Sequence, residues 1–518
     1  MTGSSTSDVV VGGGGGAGLA AAIEAARFGA SVTLLEKNPA LGGSTAWSVG
    51  SISITNSPHQ RRQGIQDSPD EHFADLELLA GPLANRDNRV LRRMLVERTT
   101  ETLEWLSAHG LVFVGPMPEP PHRYPRMHNV LPNSRAFPWH LSRSARRQGV
   151  DVRTRTAATR FLLDGDRVVG IEAQIADGSA HRFLARTGVV LASGDYSASP
   201  ELKAELASME AAALDAVNLT ATGDGHKMAR EIGAEIVNGD IVRGPIMRFV
   251  PPARQKLIQR LPPYTVLARA IRLAMEVLPA PVLRPFLMSF LTTALGPSPA
   301  LFREGAILVN RAGQRFADEL AKPAGLVPRQ PGREAFIVMD NAIAQKFNAW
   351  PHFVSTAPGV AYAYLDDYRR NRRDIFHQAP SVADLARSAG LPPDALAQSV
   401  AAYNAETRSG ARPPLERPPF YALGPIRSYV VFTDGGLRVS ERLEVLRAGG
   451  EVIPGLYAAG SAGQGGLLLE GHGHHLGWAF ISGRIAGRHA ALDARPLDGW
   501  PSPGEKAAPA RPRETEPA

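Results

Sequence analysis

The chain has 518 residues, more than one ordinary hydrophobic core accommodates, so two domains are expected, one of them split in sequence. It carries 57 Lys and Arg against 50 Asp and Glu, with no basic run interleaved with aromatics, which argues against nucleic-acid binding. It has no cysteine, which excludes disulfides, thiolate-held iron–sulfur clusters, CxxCH haem attachment and a thiol nucleophile within the chain. The start, MTGSSTSDVVVGGGGG, lacks the basic and apolar regions of a signal peptide, and no apolar run approaches the ~20 residues of a spanning helix, so a cytoplasmic location is expected.

Residues 8–38 read as strand, turn, helix, strand. Val9 to Val11 suit a buried parallel strand. Gly13, Gly15 and Gly18 satisfy G-x-G-x-x-G, a helix is expected from about Ala17 to Phe28, and a second strand from Ser31 to Leu35 ends at Glu36. Gly13 permits the tight turn, Gly15 lets the backbone approach a pyrophosphate, and Gly18 lets helix and strand pack closely. The helix start supplies free N–H groups for phosphate, and Glu36 can accept hydrogen bonds from ribose hydroxyls. The strand before the glycines, the helix after them and the spacing to Glu36 make this a dinucleotide-binding unit.

The next stretch, NPALGGSTAWSVGSISI (38–54), places a Gly-Gly pair, Ser44 and Thr45 beside the expected pyrophosphate and ring. It resembles the FAD-binding fold of the fumarate reductase/succinate dehydrogenase flavoprotein superfamily, and GGSTAWSVGSI looks most like the 3-ketosteroid dehydrogenase branch. Further segments are similar: RTGVVLASGDYSASPEL (186–202), ATGDGHKMAREIGAE (221–235, where Thr222 and Asp224 can cap a helix), GAILVNRAGQRFADE (305–319, a hairpin turning at Ala312-Gly313), TDGGLRVS (433–440) and PGLYAAGSAGQGG (454–466).

The resemblance implies an α/β chain with a Rossmann-like FAD-binding domain in two parts, 8–235 and 426–495, and an inserted α+β capping domain, 236–425. The Pro- and charge-rich residues 496–518 are expected to be a disordered tail. It implies FAD contacts from Gly13, Gly15, Gly16, Ala17, Gly18, Glu36, Lys37, Gly43, Ser44, Thr45, Ser48, Gly50, Gly194, Asp224, Gly460, Ser461, His475 and Leu476. No attachment motif is recognised, so the FAD is expected to be non-covalent.

EGHGHHLGWAFISGRIAG (470–487) carries His472, His474 and His475 after Glu470. Its glycine-rich spacing lacks the i,i+4 geometry of a helical metal site, and no metal is expected. Two readings remain open. The imidazoles hydrogen-bond to backbone or flavin, or one of them, His475 or His474, binds a substrate carbonyl or tunes the flavin. The following helix would aim its N-terminus at the flavin.

In the dicarboxylate-reducing branch, histidines and an arginine hold fumarate; the matching positions here are Phe432, the block HHLGWAF and the segment GPIMRFVPP, so a fumarate-like site is not expected. Steroid-type enzymes use tyrosines, for which Tyr124, Tyr362 and Tyr364 are candidates, while Arg126 and His128 lie in a loop dense in His, Arg and aromatics. In residues 264–295, Arg269, Arg272 and Glu276 fall on one narrow face; a core helix is expected, the alternatives being a helix that covers an apolar chamber or one that lies on a membrane surface. The expected function is an FAD-dependent dehydrogenase or reductase of a C–C/C=C bond next to a carbonyl, on a cyclic or lipophilic ketone, with hydride to flavin N5 and proton to a side-chain base. The alternatives are a fumarate-reductase-like enoate reductase acting on a carboxylic acid, or a flavin-binding electron-transfer component. Expected partners are a small-molecule substrate and an external electron acceptor: quinone, carrier protein or oxygen. Nucleic acid and membrane-surface contact are not expected.

Overall fold

The computed structural model describes residues 3–252, 260–279, 282–285, 288, 292, 295–357, 361–407 and 412–493. The sequence-expected tail at 496–518 lies outside them.

In chain order, the elements that build the site are β1 (Gly3–Gly12), α1 (Gly16–Arg27), β2 (Val32–Leu35), β3 (Ser51–Ser53), α2 (Pro69–Ala80), β4 (Val112–Met117), β5 (Met127–Leu131), β6 (Asp151–Arg153), β7 (Ala180–Leu191), β8 (Ile246–Phe249), α3 (Thr265–Val277), β9 (Ile307–Asn310), β10 (Ala335–Met339), β11 (Phe420–Val430), β12 (Val452–Ala458) and α4 (His474–Leu492). The first core is a sheet in the order β12-β7-β1-β2-β6, with every one of these neighbours parallel. Val9 pairs with Val32 on one side and Gly188 on the other. Val9, Val10 and Val11 are completely buried, as a parallel strand covered on both faces requires. α1 and α4 pack together on this sheet at very close range: a Cβ at Gly483 or Gly487 would strike the carbonyls of Ala17 and Ala21. The chain therefore enters the sheet at its N-terminus and returns to it through β12 and α4, as expected of a split domain.

A second core draws on residues from Phe249 to Ile426 and centres on β10 and β11, both antiparallel, with β8 and β9 beside them. The expected hairpin at 305–319 is present only as a tight turn, with Gly313 N–H donating to Asn310 O (2.9 Å) and an isolated bridge between Val309 and Arg315. The strand partner of β9 is β10 instead, because its four buried residues need a strand on the core side. Where β8 and β11 pair, Arg248 lies opposite Arg427.

Two expectations fail on packing grounds. Thr222 and Asp224 do not cap their helix; its N-cap is Gly223, and Thr222 Oγ1 donates to Asp224 Oδ1 at 2.8 Å. α3 is not a core helix: of its residues only Ala268 is buried, while Val266, Leu273 and Val277 are 79%, 60% and 71% exposed. It lies with Ala268, Ile271 and Met275 on Val112, Val114 and Leu131 of β4 and β5. The rest of the 264–302 stretch is only partly within the described residues. Among the described residues, no helix is long and apolar enough to cross a membrane.

Candidate functional site

At the carboxyl ends of β1, β2 and β7 lies an open groove. Its floor is the loop Gly12–Ala17, and its walls include Glu36, Lys37, Gly43, Ser44, Thr45, Ser193, Gly194, Asn218, Asp224, Gly460 and Ser461. This is where an open parallel sheet receives a ligand. The glycine loop owes its shape to backbone that only glycine tolerates: Gly13 has φ +115° and a Cβ there would meet the Ala192 carbonyl. A Cβ at Gly194 would instead project into open space, and one at Gly15 would meet only the Gly42 carbonyl, at 3.9 Å. The Gly18 Cβ would strike the carbonyl of Gly13, which is the close packing expected of the third glycine.

Glu36 is 5% exposed and works as a bracket for this loop. Its Oε2 accepts from Gly14 N–H at 2.8 Å, and its Oε1 accepts from both Asn38 N–H and the Asn38 side chain at 2.8 Å. Across the groove, Lys37 Nζ reaches Thr222 Oγ1 (2.5 Å) and the Asp224 carboxylate (2.7 Å). Ser193 Oγ, on the groove wall, is buried without a protein partner. A dinucleotide fits this donor set: loop amides at the start of α1 for phosphate, a free hydroxyl, and a carboxylate at the expected ribose end. Ser48 and Gly50 support the groove from outside its lining, with Ser48 Oγ donating to Thr45 O (2.8 Å) and Gly50 N–H donating to Ser48 Oγ (3.1 Å).

The histidine stretch forms the N-terminus of α4. Gly473 caps it at φ +92°, pressed so tightly on Ile52 and Ser53 of β3 that no side chain fits, and Ser53 Oγ donates to His472 O at 2.7 Å. The three rings then separate. His472 is bonded through Nδ1 to Glu119, which also accepts His472 N–H (2.8 Å); this hydrogen bond raises the imidazole pKa. His474 turns inward, with its Nε2 3.0 Å from His72 Nε2. His475 lies with its ring centroid 3.8 Å from that of Phe432, and its Nε2 is buried without a partner. Burial and the Arg243 charge push the His475 pKa down to about 3, so the ring is neutral. Leu476 is 9% exposed in the same turn.

Arg243 and Arg248 stand beside this turn. Arg243 is paired with Asp434 and Glu470. Arg248 lies close enough to His472 to oppose its protonation, and no carboxylate among the described residues pairs with it.

The other sequence candidates are engaged elsewhere, although Arg126 also reaches His122, whose ring lies beside His474. His128 is fully buried in β5 with both nitrogens engaged, Nε2 with Ser57 Oγ (2.9 Å) and Nδ1 with Arg126 O (2.7 Å). Arg126 is locked by Asp67 (2.7 Å) and Asp75 (2.5 Å), all three side chains with no exposure. Tyr124 packs under the Arg126 guanidinium, 5.6 Å from its ring. Tyr362 meets Trp350 edge-on and Phe353 at a tilt, and Tyr364 has its ring 5.0 Å from the Arg284 guanidinium. Residues that sequence reasoning passed over include Ser193, Arg243, Arg248, Glu119, His122 and His72. Arg248 and His122 stand in stretches whose composition draws notice; His72 has only the pattern of an ordinary amphipathic helix.

The fold and groove define a dinucleotide-binding flavoprotein. The family model described as FAD binding domain matches residues 8–253 and 262–468, and the chain belongs to that family. It is similar to the vinyl phenol reductase of Lactiplantibacillus plantarum, 27% identical over 93% of this chain and 96% of that protein. The open conformation of a flavocytochrome c3 fumarate reductase superposes with a TM-score of 0.71 at 25% identity, covering 94% of this chain and 78% of the other. The 3-ketosteroid-Δ4-(5α)-dehydrogenase of Rhodococcus jostii RHA1 superposes less closely, with a TM-score of 0.58 at 25% identity over 94% and 97%. The protein is an FAD-dependent oxidoreductase acting on CH–CH groups. The likenesses weigh toward a reductase of a C=C bond and against the expectation of a lipophilic-ketone dehydrogenase.

Proposed function

We propose that the protein reduces the double bond of an enoate, a C=C conjugated to a carboxylate, carried on an aromatic or otherwise apolar body. The observation that carries this reading is His475: a half-buried, neutral ring whose Nε2 is buried without a partner, set against Phe432 at the start of α4. Bound FAD supplies the hydride. A neutral imidazole N–H is a donor for the carboxylate oxygen on which negative charge grows as the double bond is attacked. Phe432 offers a flat apolar face beside it, where a second small carboxylate would be left unpaired; fumarate is therefore a poor fit. Arg248, a cation with no carboxylate partner among the described residues, suits the substrate's anionic end. His472 stands half exposed on the same turn, bonded to Glu119, and is the group through which a proton from solvent reaches the α-carbon.

The chain has no cysteine to hold an iron–sulfur cluster or c-type haem, so the electrons come from a separate redox partner, a quinol or reduced carrier. The FAD is non-covalent, and acid precipitation should leave it in the supernatant. The reading is tested by product analysis. With a dithionite-reduced dye and an aryl enoate under nitrogen, one saturated acid should accumulate for every two electrons lost by the dye. Conversion of cyclic enones but not enoates would return the substrate to the ketone class.

A further inference from the structure

His72, His122 and His474 come from three separate segments: α2, the loop before β5, and the first residue of α4. Their nearest ring nitrogens all lie within 4.8 Å of one another. His72 Nε2 and His474 Nε2 are 3.0 Å apart, close to the ~3.3 Å separation of two imidazole nitrogens on one tetrahedral ion with bonds of about 2.0 Å. The rings of His122 and His474 have centroids 5.3 Å apart, and those of His72 and His122 5.6 Å.

One polar atom in the cluster has nothing to bond: His122 Nε2 is buried without a hydrogen-bond partner, in a place where an unpaired polar atom is costly. All three side chains are at most 1% exposed. His72 Nδ1 is held by Thr55 Oγ1 at 2.6 Å, an outer contact of the kind that orients a metal-bound histidine, and the Asp75 carboxylate lies 3.7 Å from His122 Nδ1, beside Arg126 Nη1 at 3.0 Å. Asp75 and Asp67 both pair with Arg126, so the guanidinium charge beside the cluster is already compensated.

We propose that His72, His122 and His474 form a binding site for a divalent first-row transition ion of the Zn²⁺ type, which ties α2 and the loop before β5 to the N-terminus of α4. This set is distinct from the run His472–His475 read along the sequence, with which it shares only His474. The donors are three imidazoles, so borderline ions such as Zn²⁺ and Co²⁺ are favoured and the hard cations Mg²⁺ and Ca²⁺ are not. The site is separate from the enoate reading: neither His475 nor Arg248 belongs to it.

The test uses the untagged flavoprotein, dialysed against a chelator and then against ZnCl2, CoCl2 or MgCl2. Metal analysis should find one Zn²⁺ per chain and no Mg²⁺. The Co²⁺ form should show d–d absorption at wavelengths beyond the flavin bands. His72→Gln, His122→Gln and His474→Gln should each weaken Zn²⁺ binding by ~10-fold or more, while His140→Gln should not. Flavin absorbance and circular dichroism report whether each variant folds; where one does not, the Co²⁺ spectrum of the unmodified protein decides. Absence of Zn²⁺ and Co²⁺ from the wild-type protein, or Zn²⁺ held undiminished in folded His72→Gln and His122→Gln, would overturn the assignment.

Discussion

Replacing Glu36 tests how the glycine loop is held. Its carboxylate is 5% exposed and accepts three hydrogen bonds at 2.8 Å, from Gly14 N–H, Asn38 N–H and Asn38 Nδ2. Hydrogen bonds to a charged group contribute roughly 1.5–3 kcal/mol each. Glu36→Ala removes the acceptors of all three bonds, and two of the abandoned donors are backbone amides lining the cofactor groove. If the Gly14 and Asn38 amides each lose about 1.5 kcal/mol, the groove forfeits ~3 kcal/mol of preorganisation, or roughly 150-fold in FAD affinity. Glu36→Gln retains one acceptor oxygen and should lose about half of that. Apoprotein titrated with FAD, followed by quenching of flavin fluorescence, reads the dissociation constant directly, and circular dichroism confirms the fold. An Ala variant that binds FAD as tightly as the wild type would show that the bracket does not shape the site.

Three further outcomes are expected. His475→Phe keeps the packing on Phe432 but removes the donor; FAD should stay bound while the rate of double-bond reduction falls ~10²-fold, the scale of one lost oxyanion donor, and an unchanged rate would leave His475 as packing alone. Arg248→Met should raise KM for enoates at least ~10-fold with little change for an uncharged enone, read from steady-state kinetics; equal effects on both would remove Arg248 from carboxylate binding. Acid should destabilise the fold through His128 and His226, whose pKa values burial lowers to about 4 from the ordinary 6.5. A depressed histidine contributes stability that is present above 6.5 and lost as pH falls toward 4, up to about 3 kcal/mol for each; urea midpoints no lower at pH 5 than at pH 7.5 would contradict this.

The FAD half of the molecule was legible because its signals are local. Val9–Val11, the three glycines and Glu36 lie within one strand-helix-strand unit, and each does a backbone-level task that its residue type announces. β1 nevertheless begins at Gly3, since its first residues pair with β7, a partner nearly 180 positions away that no local pattern reveals. The reading of α3 as a core helix failed for a related reason: an apolar stripe says that a face is covered, and here only a short face is, by β4 and β5. The catalytic side was hardest to read. His474 and His475 are adjacent in sequence but point to different neighbourhoods, one to His72 and one to Phe432, because Gly473 fixes where the helix starts. His128 and Arg126 looked functional by composition, and their burial in hydrogen bonds and ion pairs is a tertiary fact.

The claim that this flavoprotein is an enoate reductase is tested most directly by mixing anaerobically reduced enzyme with an aryl enoate, with fumarate and with a cyclic enone in a stopped-flow spectrometer. Recovery of the oxidised flavin absorbance at least ~10-fold faster with the aryl enoate than with either of the others is the predicted result. Faster recovery with the cyclic enone, or no recovery with any of the three, would contradict it.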